Sequence, residues 1–143
     1  MDESLKPQII FDNVINHGEQ NFIINAWLKV YANSKTYGKV RSHIFFKEMP
    51  LIIENIIKSS NILMARSVDD NSQLFGCCIY DDQTLHFAYV KGIYRGLGLF
   101  TEMAKSIDKE LKYYTLENTY TKIFRKSGME LNPFETFKFN HKS

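Results

Sequence analysis

The spacing of apolar residues along the chain changes between helical stripes and short apolar runs, and the changes mark its elements. Gln8 to Val14 has the mixed apolar character of a strand. After Asn16 and His17 the spacing becomes helical: Ile23, Trp27, Val30 and Tyr31 fall at i, i+4, i+7 and i+8, a stripe that Ile24 and Leu28 widen. Asn33-Ser34-Lys35-Thr36-Tyr37-Gly38 is turn chemistry and ends that helix. A second helix is expected from about Met49 to Ser59. Pro50 would sit in its first turn, where no backbone N–H is needed, with Ile52, Ile53, Ile56 and Ile57 on the buried face.

Three strand signals follow: Asn61 to Val68, Gln73 to Tyr80 and Thr84 to Val90. The polar turns between them, Asp69 to Ser72 and Asp81 to Gln83, have the length that joins antiparallel neighbours. Asp81 and Asp82 read as a solvated turn tip. A helical run from Leu99 to Leu111 puts Phe100, Met103, Ala104, Ile107 and Leu111 on one face. Tyr113 to Leu116 reads as a strand, and Thr119 to Ser127 as a short helix ended by Gly128. Met129 with Leu131, and Thr136 to Phe139, are candidate closing strands around Asn132-Pro133. The order predicts an α+β (mixed α/β) fold, one mostly antiparallel sheet with helices on both faces.

Composition narrows the partners more than the fold. The 143 residues suit a single domain, 1–143, and 44% hydrophobic with 24% charged residues is ordinary for a soluble globular chain. A net charge of +2 gives no footprint for nucleic acid or a membrane surface. No apolar run approaches the roughly 18 residues of a membrane span, and the acidic start lacks the apolar core of a signal peptide. A cytoplasmic, or virus-encoded intracellular, protein is the expectation. Cys77 and Cys78 adjoin in a strand, where neighbours point to opposite faces, so they read as buried reduced thiols, with a thiol nucleophile as the other reading. His17, His43, His86 and His141 have no metal-ligand spacing, and no metal site is expected.

The chemistry-bearing stretch is Val90-Lys91-Gly92-Ile93-Tyr94-Arg95-Gly96-Leu97-Gly98-Leu99-Phe100, a strand that stops and a glycine turn that opens a helix. The first helical turn carries unpaired N–H groups and a partial positive charge, which suits an anion such as a diphosphate. Glycines at 96 and 98 remove side chains that would hold it off the backbone.

In this order and at this motif, the chain resembles the GCN5-related N-acetyltransferase (GNAT) superfamily from Phe22 to Met129. The family signature is Arg/Gln-x-x-Gly-x-Gly/Ala after the fourth strand, and Arg95 to Phe100 is similar to it. Gln73-Leu74-Phe75-Gly76 is similar to the family's turn into its third strand, and Phe124-Arg125-Lys126-Ser127-Gly128-Met129 to the end of its last helix. The resemblance implies acetyl-coenzyme A as co-substrate. Its diphosphate would be cradled by backbone at Arg95, Gly96, Leu97, Gly98, Leu99 and Phe100, and its pantetheine arm would pair with main chain near Tyr89 and Val90. It also implies direct attack of an amine on the thioester, with a general base and a general acid.

Two departures stand out. Phe100 replaces a small residue; it either extends the apolar helix face into the core or perturbs the cradle. Phe124 replaces the family's acidic tyrosine, and Tyr120, at i−4, is the alternative phenol. Thr84 holds the place of the family's glutamate base. His86, two residues on along the same strand face, is the candidate base, beside its reading as a structural histidine or a water relay in its place. The implied function is acetyl transfer to a small-molecule or protein amine. The alternative is an inactive module of the same fold, such as a virion component or host-protein inhibitor, since the Ile-, Lys- and Asn-rich composition also resembles small phage-encoded members. A homodimer, or a viral or host protein partner, stays open.

Overall fold

A computed structural model describes residues 9–35, 37–70, 73–92, 99–115 and 128–139. The elements run β1 (Ile9–Asp12), α1 (His17–Ala32), α2 (Ser42–Ser59), β2 (Asn61–Ser67), β3 (Leu74–Tyr80), β4 (Thr84–Val90), α3 (Leu99–Ser106), β5 (Tyr113–Tyr114), β6 (Glu130–Leu131) and a 3-10 helix, Pro133–Phe139. Among the described residues they build one six-stranded sheet in the order β1-β2-β3-β4-β5-β6. The first four strands are antiparallel neighbours, while β4–β5 and β5–β6 are parallel. The α+β architecture matches the expectation.

Helix α1 starts where side chains replace missing backbone partners. Asn16 caps it: the Glu19 N–H donates to Asn16 Oδ1 at 2.8 Å, and the Asn16 N–H donates back to Glu19 Oε1 at 3.1 Å. Buried Arg66 on β2 bonds Glu19 and Asp12 and so ties this helix start to the sheet. Ile23, Trp27 and Tyr31 are buried as the spacing predicts.

Helix α2 begins at Ser42, not near Met49. Ile44 N–H and Phe45 N–H donate to Arg41 O and close the first turn, and Phe45 and Met49 extend the buried stripe backwards from Ile52 and Ile53. Pro50 is therefore interior. Its missing N–H removes one i→i−4 bond, which the apolar stripe on either side outweighs.

The sheet separates two cores. On the α1/α2 side, Trp27 stacks on Phe87 at 4.9 Å over Met64, Cys77 and Ile79. On the α3 side, Phe75, Cys78, Leu85, Val90, Leu99 and Met103 pack together. Cys77 and Cys78 are free, buried and on opposite cores. Gly76 is where β3, β4 and α3 meet: a Cβ there would lie 2.6 Å from Tyr89 O and 3.2 Å from the Met103 side chain.

The C-terminal end departs from the expectation. Thr136 to Phe139 does not close the sheet as a strand but belongs to the 3-10 helix. Asn132 explains the change: its side chain accepts the Phe134 N–H at 3.2 Å and its carbonyl accepts the Glu135 N–H at 3.2 Å, which winds the chain at Pro133. Helix α3 ends at Ser106 instead of Leu111, and Ile107 and Leu111 still pack against the second core. The expected helix from Thr119 to Ser127 lies outside the described residues; Gly128 has φ +90°, the region that suits glycine.

Candidate functional site: the parting of β4 and β5

Strand β4 pairs with β5 over two residues only, Thr84 with Tyr113 and Leu85 with Tyr114. Beyond Leu85, no strand pairs with that edge of β4 among the described residues. The Lys91 N–H donates to Phe75 O at 2.8 Å, towards β3. By strand alternation the backbone groups of Tyr89 also face β3, and those of Ala88 face away from it.

A β-bulge sits at the parting. Ile79 pairs with Phe87 but Tyr80 pairs with Leu85, so His86 is an extra residue in β4. Alternation does not carry across it: Leu85 lies in the α3-side core and Phe87 in the α1/α2-side core. The face shared by Thr84 and His86 in the sequence reading cannot be counted through this point.

Buried polar groups gather here. Of the seven buried polar or charged residues among those described, Thr84, His86, Thr115, Glu135 and Thr136 all lie at this junction. Thr115 Oγ1 donates to His86 O at 3.1 Å, and lies 2.7 Å from Tyr31 Oη. Since the single Thr115 proton is committed, the Tyr31 hydroxyl is the donor to Thr115. Thr136 Oγ1, at 3.4 Å from Tyr31 Oη, is then the donor to Tyr31. The relay runs one way, from the 3-10 helix through α1 and past β5 to the β4 carbonyl. Burial pushes the Tyr31 phenol up, with the hydroxyls of Thr115 and Thr136 opposing. Glu135 Oε1 accepts from Thr84 Oγ1 at 2.9 Å and from Gln83 Nε2 at 3.0 Å, fixing the 3-10 helix to the start of β4.

Asp81 is not a solvated tip. Its Oδ1 accepts the backbone N–H groups of Gln83 at 3.0 Å and Thr84 at 2.8 Å, and its Oδ2 lies 3.0 Å from His86 Nε2. Burial raises the Asp81 carboxyl, but the bond to His86 and the two backbone N–H groups outweigh it and hold it at about 2. Asp82 alone is the exposed residue, 3.5 Å from Lys109.

Of the residues singled out from sequence, His86, Tyr89 and Val90 lie on β4 along the gap, and Leu99 and Phe100 open α3. Phe100 packs against the α3-side core. Tyr89 meets Phe22 of α1 edge-to-face at 5.4 Å. Arg95, Gly96, Leu97, Gly98, Tyr120 and Phe124 lie outside the described residues. Below α3 a cleft of about 190 Å³ is lined by Cys78, Leu85, Phe100 and Met129 among others. Burial pushes the Cys78 thiol up to about 12 and Cys77 well above its usual range, so neither is a ready nucleophile. No group of three or more His, Cys, Asp or Glu that could hold a metal occurs among the described residues, and no described helix is long and apolar enough to cross a membrane.

The fold is similar to that of a solved structure. A Corynebacterium glutamicum protein described as histone acetyltransferase HPA2 and related acetyltransferase aligns over 86% of this chain and 83% of its own, at TM-score 0.55 and 13% identity. The chain has the GNAT acetyltransferase fold. An integron cassette protein from the mobile metagenome of V. cholerae aligns over 89% of this chain and 88% of its own, at TM-score 0.47 and 13% identity. A Deinococcus radiodurans protein with a provisional acetyltransferase description covers 87% of this chain and 84% of its own, at TM-score 0.46 and 15% identity. No protein-family model and no curated protein matches the chain by sequence.

Sequence reasoning missed Asp81, Glu135 and the Tyr31–Thr115–Thr136 relay. Asp81 had a local signal, an aspartate whose side chain can accept N–H groups two and three residues on. The relay had none, because its members are 84 and 105 residues apart.

Proposed function

We propose that the protein is an acetyl-CoA-dependent N-acetyltransferase acting on a small-molecule or protein amine. The observation that carries this reading is the early parting of β4 from β5, which leaves the edge of β4 beyond Leu85 without a strand partner among the described residues, next to a cluster of buried polar groups. An extended arm bearing amides fits such an edge, where alternation turns the backbone of Ala88 away from β3. The first turn of α3, at Leu99 and Phe100, offers N–H groups suited to a diphosphate. Residues Arg95 to Gly98 complete that cradle in this reading.

Acetyl-CoA supplies an activated thioester carbonyl. The chain's part is to orient the reactants, to exclude water, and to move two protons. His86 receives the proton of the acceptor amine, directly or through water. Tyr120 provides the phenol that protonates the leaving sulfur. The Thr115 hydroxyl fixes the His86 carbonyl and so holds the bulge in one geometry.

Thermal melting with and without acetyl-CoA tests the reading. A ligand that binds only the folded state stabilises it by mass action, by about 2.7 kcal/mol at a hundredfold excess over Kd. Acetyl-CoA is expected to raise Tm, and Gly98→Trp is expected to abolish the rise. An unchanged Tm at millimolar acetyl-CoA overturns the proposal and leaves a non-catalytic module of the same fold. His86→Ala and Tyr120→Phe are each expected to lower acetylation of a responsive amine, and unchanged rates remove them as base and acid.

A further inference from the structure

We propose that Asp81 is a positioning residue that sets the tautomer of His86: anchored by two backbone N–H groups, it accepts the Nε2 proton and assigns proton exchange to Nδ1. Its catalytic consequence rests on the reading of His86 as base in the preceding section; the tautomer itself does not.

The argument is one of donors and acceptors. Oδ1 of Asp81 is occupied by the N–H groups of Gln83 and Thr84, both 3.0 Å or closer. That fixes the plane of the carboxyl group and aims Oδ2 at the ring, 3.0 Å from Nε2. An ionised carboxylate only accepts, so Nε2 must carry the hydrogen. Asp81 is held well into its ionised form, which supports that assignment. The ring has little room to turn away, since the His86 side chain is fully buried and its residue is the extra one of the bulge. The His86 carbonyl is fixed separately by Thr115. With Nε2 committed as donor, the lone pair of a neutral ring is on Nδ1, and any proton His86 takes up is bound there.

The same geometry designs the test. In Asp81→Asn the two backbone N–H groups still require an oxygen, so the amide keeps its oxygen towards Gln83 and Thr84. The amide nitrogen must then face the ring and donate to it. The substitution keeps the turn and reverses the hydrogen bond.

Nitrogen-15 NMR of the full-length protein, recorded where the ring is neutral, reads the tautomer directly. In the unmodified chain the expected result is a protonated Nε2 and an unprotonated Nδ1, whose resonance lies far downfield. In Asp81→Asn the two signals are expected to exchange identities. A protonated Nδ1 in the unmodified chain overturns the proposal. So does an unchanged tautomer in a folded Asp81→Asn, or a ring that stays doubly protonated throughout. The unmodified chain alone decides the matter should Asp81→Asn not fold. Melting with acetyl-CoA on the same samples separates the two ideas. The expected tautomer without any acetyl-CoA shift keeps Asp81 as the positioning residue and removes the transferase reading. A protonated Nδ1 with a clear shift does the reverse.

Discussion

The two halves of the sheet are held together by different means. From β2 to β4, seven-residue strands pair along nearly their whole lengths, and both faces are covered by buried apolar side chains. From β4 to β6, strands of two residues share two rungs each, and much of the joining falls to side chains: the Thr136–Tyr31–Thr115 relay, and Glu135 on Thr84 and Gln83. The first half is a scaffold specified by packing. The second uses few backbone rungs and many hydroxyls, so it can part while Thr84, Thr115, Thr136 and Glu135 stay hydrogen-bonded. The difference places the means of opening on one side of β4 and its mechanical support on the other.

The sharpest way to break the comparison is to damage the scaffold alone. Trp27→Ala removes the side chain stacked on Phe87 and is expected to cost about 3–5 kcal/mol, read as a lower urea midpoint. Gly76→Ala acts on the same half by overfilling. Its Cβ would collide with the Tyr89 carbonyl, so β3 and β4 must move apart, at about 1–3 kcal/mol by the same measurement. A neutral result for either would mean that packing is not what specifies this half.

Thr115→Val tests the other half. It keeps the shape but strips the donor from His86 O and the acceptor from Tyr31, with an expected loss of about 1–3 kcal/mol. If the junction depends on hydroxyls as argued, Val at 115 should also lower the Tm rise with acetyl-CoA, whereas Gly76→Ala should lower Tm with and without ligand alike.

The smallest effect is that of pH. The folded Asp81 carboxyl sits at about 2 against an ordinary 3.8, so its stabilising contribution is fully present above 3.8 and is lost as pH falls through that window towards 2. Asp81→Asn should flatten the acid limb of stability there, as followed by urea midpoints, while Trp27→Ala should leave the shape of that limb unchanged.

The scaffold half was largely legible in the sequence, for a physical reason: its elements follow from local periodicity. Ile23, Trp27 and Tyr31 marked α1, and apolar runs bounded by short polar turns marked β2, β3 and β4. The errors came where a local cue competes with tertiary packing. Pro50 suits a first turn, yet Phe45 and Met49 carry the apolar stripe past it, and the helix follows the stripe. Thr136 to Phe139 alternates like a strand, yet the Asn132 side chain winds it into a 3-10 helix. The glycine turn and the order of elements pointed to the fold without any contact being known. The junction was nearly invisible, since Tyr31, Thr115 and Thr136 become partners only after the chain has folded.

The bulge at His86 behaves like a dislocation in a crystal lattice. Side-chain repacking cannot relax it; only adding or removing a residue can. Deleting position 86 would restore strict alternation along β4 and leave Leu85 and Phe87 on the opposite faces they now hold. Inserting one residue between Ile79 and Tyr80 would heal the same defect from the opposite strand. The strand therefore carries two reading frames that meet at one residue, and any alignment of β4 with another chain must be counted separately on each side of it.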